Sequence, residues 1–339
     1  MKQSSSARRL LLPLVPVYRL ALAVRELRLR RGWEPTRHLR FPVVSIGNLS
    51  TGGSGKTPLA ITLARLLSSK GFHVDVLSRG YGRNDSSPAR VRSDGLADDF
   101  GDEPILIARN TGVPVYVARE RYNAGLLAEA DASAAGFDDR CVHLLDDGFQ
   151  HRQLARDVDI LLLNRADWAD HLLPSGNLRE SLRALHRATV LGIPAGEKHL
   201  AQELKNSGWD GPIWYLHRRM EVPSVDGPVV AFCGIARPEQ FFTGLKAAGV
   251  SVAAQIAFPD HHGYAISDVK RLVASAQTAG AAALITTEKD LVRLGNLSAK
   301  FDPSVPPQTA ALHVEIENHA AVLDWLIGQF PASPIRPAL

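Results

Sequence analysis

The chain has 339 residues, 45% apolar and 22% charged, with a formal net charge of +4. These values are ordinary for a soluble globular protein, and the length suggests two domains. The two cysteines, Cys141 and Cys233, lie in apolar runs and form no C-x-x-C pair, which excludes a disulfide framework and fits buried thiols in a reducing compartment; no His/Cys cluster has zinc spacing.

The charge is uneven. The first 40 residues carry ten Lys/Arg and two acids, whereas the remainder carries 29 basic and 33 acidic residues. Basicity confined to one end argues against a general nucleic-acid surface and for a localised contact. Leu10 to Val24 reads LLLPLVPVYRLALAV, shorter than the ~20 apolar residues of a membrane span and interrupted by Pro13, Pro16 and Arg19. From Val17 onward, Val17, Leu20, Ala21, Val24 and Leu27 recur at helical spacing, with Arg19, Arg25, Arg28, Arg30 and Arg31 projecting elsewhere. This pattern predicts an interfacial helix on an anionic leaflet, each basic residue contributing about 1 kcal/mol near the surface. A helix packed on the body is the plainer alternative. A secretory signal cleaved near Ala21-Leu22-Ala23 is opposed by the arginines that follow it.

Val43 to Pro58 reads VVSIGNLSTGGSGKTP, an apolar strand breaking into a glycine-rich loop before a helical pattern at Leu59, Leu63, Leu66 and Leu67. Such a loop turns backbone N–H groups toward one point and makes a phosphate cradle at a helix N-terminus, here Gly52, Gly53, Ser54 and Gly55. Lys56 adds charge at the β- and γ-phosphates and the Thr57 hydroxyl is placed to ligate Mg²⁺. The strict G-x-x-x-x-G-K-[ST] pattern wants glycine at position 50, where Ser50 stands.

A strand follows at 73–77, ending in Ser78-Arg79-Gly80-Tyr81-Gly82-Arg83. Residues 84–103 are polar and read as a long loop before a helix from about Pro104, and loops of that length are usually functional or mobile. Within Gly101-Asp102-Glu103-Pro104, Asp102 has two readings: the N-cap of that helix, which spacing alone favours, or a base that accepts a proton from an attacking hydroxyl. Further strands are expected at 113–117, 141–146, 158–163 and 188–193, alternating with helices as in a parallel α/β sheet. The 141–146 strand ends in Asp146-Asp147, the carboxylates that contact Mg²⁺ in a phosphate-loop enzyme. Only one of the two should face the metal, because adjacent strand residues point to opposite sides. Gln150 and His151 are placed to line the same cleft.

From 194 to 227 the pattern weakens and reads as linker toward its end. Strand and helix then alternate again: strands at 228–233, 250–257, 282–287 and 311–316, and helices near 238–248, 265–279 and 319–329. Asp260-His261-His262 and Thr287-Glu288-Lys289-Asp290 close strands of this second layer, and the latter is placed to bring charges to an interdomain cleft. From spacing alone each is weak.

Taken in order, these motifs resemble the tetraacyldisaccharide 4′-kinase family, the lipid A 4′-kinases of Gram-negative bacteria. The resemblance is carried by the apolar-basic N-terminus, Ile46-Gly47-Asn48 through Gly55-Lys56-Thr57, Ser78 to Gly82, Gly101 to Pro104, Asp146 to His151, Leu173-Pro174 to Arg179-Glu180, Phe232 to Ile235 with Pro238, Asp260-His261 and Thr287 to Asp290. The irregular loop with Ser50 is shared by that family. The resemblance implies an α/β fold: a P-loop NTPase-like parallel sheet sandwich with a second, smaller α/β/α domain, a small β linker and an N-terminal amphipathic helix. The divisions expected are 1–32 for the basic membrane-associating segment, 33–215 for the kinase domain, 216–227 for the linker, 228–330 for the smaller domain and 331–339 for a frayed tail. It implies ATP and Mg²⁺ as cofactors, with Lys56 on the phosphates, Gln150 among the nucleotide-binding residues, Thr57 and Asp146 on the metal, and Asp102 as a base paired with His261. The substrate implied is a lipid A disaccharide precursor, phosphorylated at its 4′-hydroxyl to give lipid IVA. A monomer at the cytoplasmic face of the bacterial inner membrane is expected, touching an anionic membrane surface and no nucleic acid. The alternatives are a P-loop GTPase or metallochaperone-type NTPase, suggested by Asn164-Arg165-Ala166-Asp167 after a strand, and a nucleotide-gated membrane scaffold.

Overall fold

The structure, a computed structural model, describes residues 8, 10–137 and 139–331. The frayed tail expected at 331–339 lies outside the described residues except for its first position, as do 1–7 and 9 of the N-terminal segment. Twelve strands form one sheet: β1 (Val43–Asn48), β2 (His73–Ser78), β3 (Ala89–Arg90), β4 (Val115–Val117), β5 (Cys141–Asp146), β6 (Val158–Leu162), β7 (Val190–Pro194), β8 (Ile213–Glu221), β9 (Val229–Cys233), β10 (Val252–Ala257), β11 (Ala283–Thr287) and β12 (Pro307–Ile316). Their spatial order is β10-β9-β11-β12-β8-β7-β6-β1-β5-β2-β4-β3. The helices are α1 (Val15–Arg30), α2 (Lys56–Ser69), α3 (Ala97–Phe100), α4 (Asp102–Thr111), α5 (Arg121–Ala134), α6 (Arg165–Trp168), α7 (Lys198–Asn206), α8 (Pro238–Ala247), α9 (Ile266–Thr278), α10 (Glu288–Leu294) and α11 (His319–Gly328).

Strands β8 to β4 run parallel, as do β12, β11, β9 and β10, and the polarity reverses at the antiparallel pair β8–β12. In a flat sheet that reversal would send the two sets of carboxyl-end loops to opposite edges. Contacts between them show that the twisted ribbon turns them toward one another: Arg293 reaches Asp102, and a Cβ added at Gly52 would lie 3.3 Å from Ala236. Strands β1 and β5 are buried along their full length, which is why they read as near-continuous apolar runs. Helix α2 packs Leu59, Leu63 and Leu67 of the predicted face against that sheet with Leu66 partly buried beside them, and also buries Ile61, which lies off that face.

Two segments differ from the sequence reading. The region where the pattern weakens holds α7 and the nine-residue strand β8, with Ile213–Leu216 paired to β7 and Leu216–Glu221 to β12. Its burial is irregular, with His217, Arg218 and Arg219 exposed, so it carries no alternation to read. Residues 84–103 are not one loop: Ala89 and Arg90 pair antiparallel with β4, and Ala97–Phe100 form α3.

Helix α1 packs one face on the body and leaves the other exposed. Val15, Tyr18 and Leu22 pack on the core, and the Tyr18 hydroxyl donates to the Arg179 carbonyl at 2.8 Å. The predicted stripe faces away, with Val17 and Leu20 each 65% exposed. No helix among the described residues is long and apolar enough to cross a membrane. Cys141 and Cys233 are buried thiols.

One buried polar cluster has no sequence signature. His143 on β5 lies opposite Asp75 on β2, its Nδ1 at 2.8 and 2.9 Å from the carboxylate oxygens and its Nε2 3.4 Å from Glu129. Burial disfavours the imidazolium, but Asp75 and Glu129 outweigh it and push the pKa up to about 9. A pKa raised on folding contributes stability that is complete below the unfolded value of 6.5 and lost as pH rises through about 9. Chemical denaturation is expected to show stability falling by up to about 3 kcal/mol between pH 7 and 10; a flat profile would contradict a charged His143.

Candidate active site

The carboxyl ends of β1, β5 and β2 open on a cleft of about 1010 Å³ whose far wall comes from loops after β9 and β10 and from α10. This is where an open α/β sheet binds ligands. The glycine-rich loop forms its floor. Gly52 and Gly55 take φ of 102° and 90°, and Gly55 precedes α2 with no side-chain cap, so the first-turn N–H groups of α2 have no side chain competing for them. Ser50 explains the irregular motif: it bridges Leu178 and is buried, while the Thr51 N–H donates to Asn177, so position 50 has no need of glycine. Gly47 does need to be glycine, since a Cβ there would fall 2.4 Å from the Phe149 Cβ.

Lys56 Nζ donates to Asn48 Oδ1 at 2.9 Å and stands 3.4 Å from Asp147. Arg179 grips the same Asp147 at 3.0 and 3.2 Å. Burial opposes ionisation of Asp147, yet Lys56 and Arg179 hold its carboxyl well below the usual range. Asp146 is different. It is 1% exposed and neither carboxylate oxygen has a hydrogen-bond partner among the described residues. Burial and the neighbouring charges of Glu103 and Asp147 push its pKa up to about 7. A bare, buried carboxylate in the same cleft as the Thr57 hydroxyl is the donor chemistry of a hard divalent cation. No cluster of three His, Cys, Asp or Glu among the described residues makes an all-protein metal cage; Mg²⁺ characteristically takes one or two carboxylates and completes its shell with phosphate and water. Gln150 lines the cleft and anchors it, its Nε2 donating to the Asn48 carbonyl at 2.9 Å.

Asp102 is not the helix cap that spacing favoured. Gly101, at φ 88°, occupies the cap position and Asp102 is the first helical residue, 4% exposed. Its Oδ1 accepts the Glu103 N–H at 2.9 Å. Its Oδ2 meets Arg293 Nε and Nη2 at 2.7 and 2.5 Å and lies 3.4 Å from His261 Nδ1. His261 is half-buried, in a left-handed turn at φ 56°, with its ring 5.1 Å from that of Tyr81. Burial raises the Asp102 pKa, but the His261 hydrogen bond and the charges of Arg293 and Lys289 outweigh it, so the carboxyl stays well below the usual range. The Asp102 hydrogen bond in turn raises the His261 pKa.

The structure thus brings Lys56, Thr57, Asp146, Gln150 and His261 to one cleft with the loop residues Gly52, Gly53, Ser54 and Gly55, and Asp102 lies directly behind the lining, in contact with His261 and Arg293. Sequence reading did not single out Arg293, Asn48 or Arg121. Arg293 sits three residues past Asp290 on the same helix face, a spacing that was available. Arg121 is nearly buried beside Arg79; burial and that like charge push its pKa down to about 10. With Arg25, Arg79 and Arg119 it makes one end of the cleft basic, and His151 among them is held neutral, its pKa lowered to about 4 by burial and four arginines. Asn164 has a local role: its side chain caps α6 by accepting the Asp167 N–H at 3.0 Å, and Asp167 pairs with Arg237 at 3.6 Å.

The comparisons with known proteins show the family to which the chain belongs. The family model for tetraacyldisaccharide-1-P 4′-kinase matches residues 7–330. The tetraacyldisaccharide 4′-kinase of Koribacter versatilis is 38% identical, covering 93% of this chain and 97% of its own. That of Parvibaculum lavamentivorans is also 38% identical, with 96% and 91% covered. A crystal structure of "apo" form LpxK from Aquifex aeolicus in complex with ATP matches with a TM-score of 0.73 at 32% identity, covering 96% of this chain and all of that one. With the family model matching residues 7–330 and relatives 38% identical over most of both chains, this chain is a member of the tetraacyldisaccharide-1-P 4′-kinase family.

Proposed function

We propose that this protein transfers the γ-phosphoryl group of ATP to the 4′-hydroxyl of a tetraacylated glucosamine disaccharide 1-phosphate, with Asp102 as the base. The observation that carries the reading is the meeting of Asp102 and His261, from opposite halves of the sheet, over the cleft that holds the phosphate loop. In the reaction the 4′-oxygen bonds to the γ-phosphorus as the bond to the leaving ADP oxygen breaks, and the hydroxyl proton passes to Asp102. His261 orients that carboxylate, and Tyr81 supports the imidazole. Lys56 and the N–H groups of Gly52 to Gly55 bind the phosphates; positioning and charge neutralisation supply most of the acceleration. Thr57 and Asp146 are the residues that would hold Mg²⁺, which supplies charge neutralisation at the β- and γ-phosphates. The basic end of the cleft suits an anionic acceptor.

The exposed stripe of α1, with the arginines around it, supports docking on an anionic membrane, expected at the cytoplasmic face of the inner membrane and by a monomer. The test of the activity is transfer of labelled γ-phosphate from ATP to a tetraacyl disaccharide 1-phosphate, with the product position assigned. Labelled 4′-phosphate is expected. Nucleotide hydrolysis indifferent to the acceptor, or a strong preference for GTP, would overturn the reading.

A further inference from the structure

We propose that Arg293 is a positioning residue for this reaction: locked in place by Asp290, it holds the Asp102 carboxylate ionised and in place beside His261 at the cleft wall. The proposal rests on the reading of Asp102 as the base.

The arrangement is a relay built from one short helix. Asp290 is fully buried and its carboxylate is fixed on both oxygens. Oδ1 accepts the Gly234 N–H, the Tyr264 hydroxyl and Arg293 Nη1, each at 3.0 Å, and Oδ2 accepts the Thr287 hydroxyl at 2.6 Å. Arg293 Nη1 also donates to the Gly234 carbonyl at 2.5 Å. The guanidinium therefore has one edge committed to its own half of the molecule, leaving Nε and Nη2 for Asp102 Oδ2 in the other half. A planar fork held on one side and presenting donors on the other is what arginine offers and lysine does not.

Other charged groups face Asp102. Lys289 on α10 is taken up by an ion pair with Glu103, the residue beside Asp102. His261 and Asp260 come from the loop after β10, and Tyr81 lies across the His261 ring. Arg293 is set apart by distance and burial. It makes two contacts at 2.5 and 2.7 Å with 7% of its side chain exposed, whereas His261 stands at 3.4 Å and is 38% exposed. A buried pair is little screened by solvent. A buried carboxylate without such a partner takes up a proton instead of remaining charged, and a protonated Asp102 cannot accept one from the hydroxyl. Against burial, the His261 hydrogen bond and then the charge of Arg293 hold the Asp102 carboxyl well below the usual range, so Arg293 acts together with His261.

The experiment is the pH dependence of kcat from pH 5 to 9.5 for the wild type, R293M, R293K, D290N and D102N, with ATP affinity measured on each. The γ-phosphate of ATP titrates alike in all of them, so differences between profiles belong to the protein. Without Arg293, burial is opposed at Asp102 mainly by the more exposed His261, and burial can raise a carboxyl above its usual value by up to about 3–5 units. R293M is therefore expected to gain an acid limb inside the measured range, lose turnover at neutral pH and recover it toward pH 9, with ATP affinity unchanged. D290N should move the limb the same way by less. R293K, which keeps a charge but cannot span Gly234 and Asp102 together, should fall between and carries the test should R293M not fold. A uniform loss at every pH, or a profile that does not move, would overturn the role of Arg293. D102N separates the two layers: inactive D102N beside an unmoved R293M limb removes only Arg293, whereas active D102N removes the base itself.

Discussion

Replacing Asp102 with asparagine is expected to lower kcat by about 10²–10⁴-fold, the range for losing a general base, while ATP binds as before. Asparagine is the informative substitution because it keeps the shape and, with its one oxygen turned to Arg293, an acceptor for the guanidinium, losing the charge, the basicity and the contact with the Glu103 N–H. Alanine would confound the result: it leaves the guanidinium of Arg293 without its carboxylate, and breaking a buried ion pair from one side costs about 3–5 kcal/mol. The position of Asp102 makes the prediction sharp. Gly101, not Asp102, fills the cap position of α4, although Asp102 Oδ1 accepts the first-turn Glu103 N–H at 2.9 Å, so the melting temperature of D102N is measured beside its kinetics. Steady-state transfer at saturating ATP, with nucleotide affinity from calorimetry, checks it. Wild-type turnover in D102N would reduce Asp102 to one end of a salt bridge between the two halves.

The phosphate loop was legible because its glycines answer a local steric demand, visible wherever the chain must turn with positive φ. Even its departure at Ser50 has a local cause, the bridge to Leu178. The strands of the parallel sheet were legible for a similar reason: buried on both faces, they are apolar throughout. Strand β8 was not, because it is held by ladders on both sides and exposes charged residues at its centre. Asp102 and His261 are 159 positions apart in the sequence, and no periodicity connects them. Spacing alone pointed Asp102 toward capping, and only the family resemblance tied it to His261. Arg293 escaped both routes, since its partners Asp102, Asp290 and Gly234 come from three separate elements. Side chains that act between elements are fixed by tertiary register, as are Asp75 and His143, and composition does not encode that register.

Replacing Asp146 with asparagine is expected to change activity and stability in opposite directions. The wild-type carboxylate is buried, lacks any hydrogen-bond donor among the described residues and faces the charges of Glu103 and Asp147, so its pKa rises from 3.8 to about 7. A group whose pKa is raised on folding contributes stability that is complete below its unfolded pKa and lost as pH rises through the folded one. At pH 8, without a cation, ionised Asp146 therefore burdens the fold, on the order of 4 kcal/mol for a shift of this size. D146N removes that burden and should melt higher than the wild type in chelator at pH 8. Mg²⁺ should close the gap by stabilising the wild type through binding to the folded state, and leave D146N unmoved. Transfer by D146N at fixed Mg²⁺ should fall roughly 100-fold or more, since losing even an outer-sphere partner of a metal costs 10–100-fold. This is the trade expected where a site stores electrostatic strain for function. If D146N instead melts lower in chelator and still responds to Mg²⁺, the bare carboxylate is not the metal's, and Asp147, released from Lys56 and Arg179, would be the acid to test.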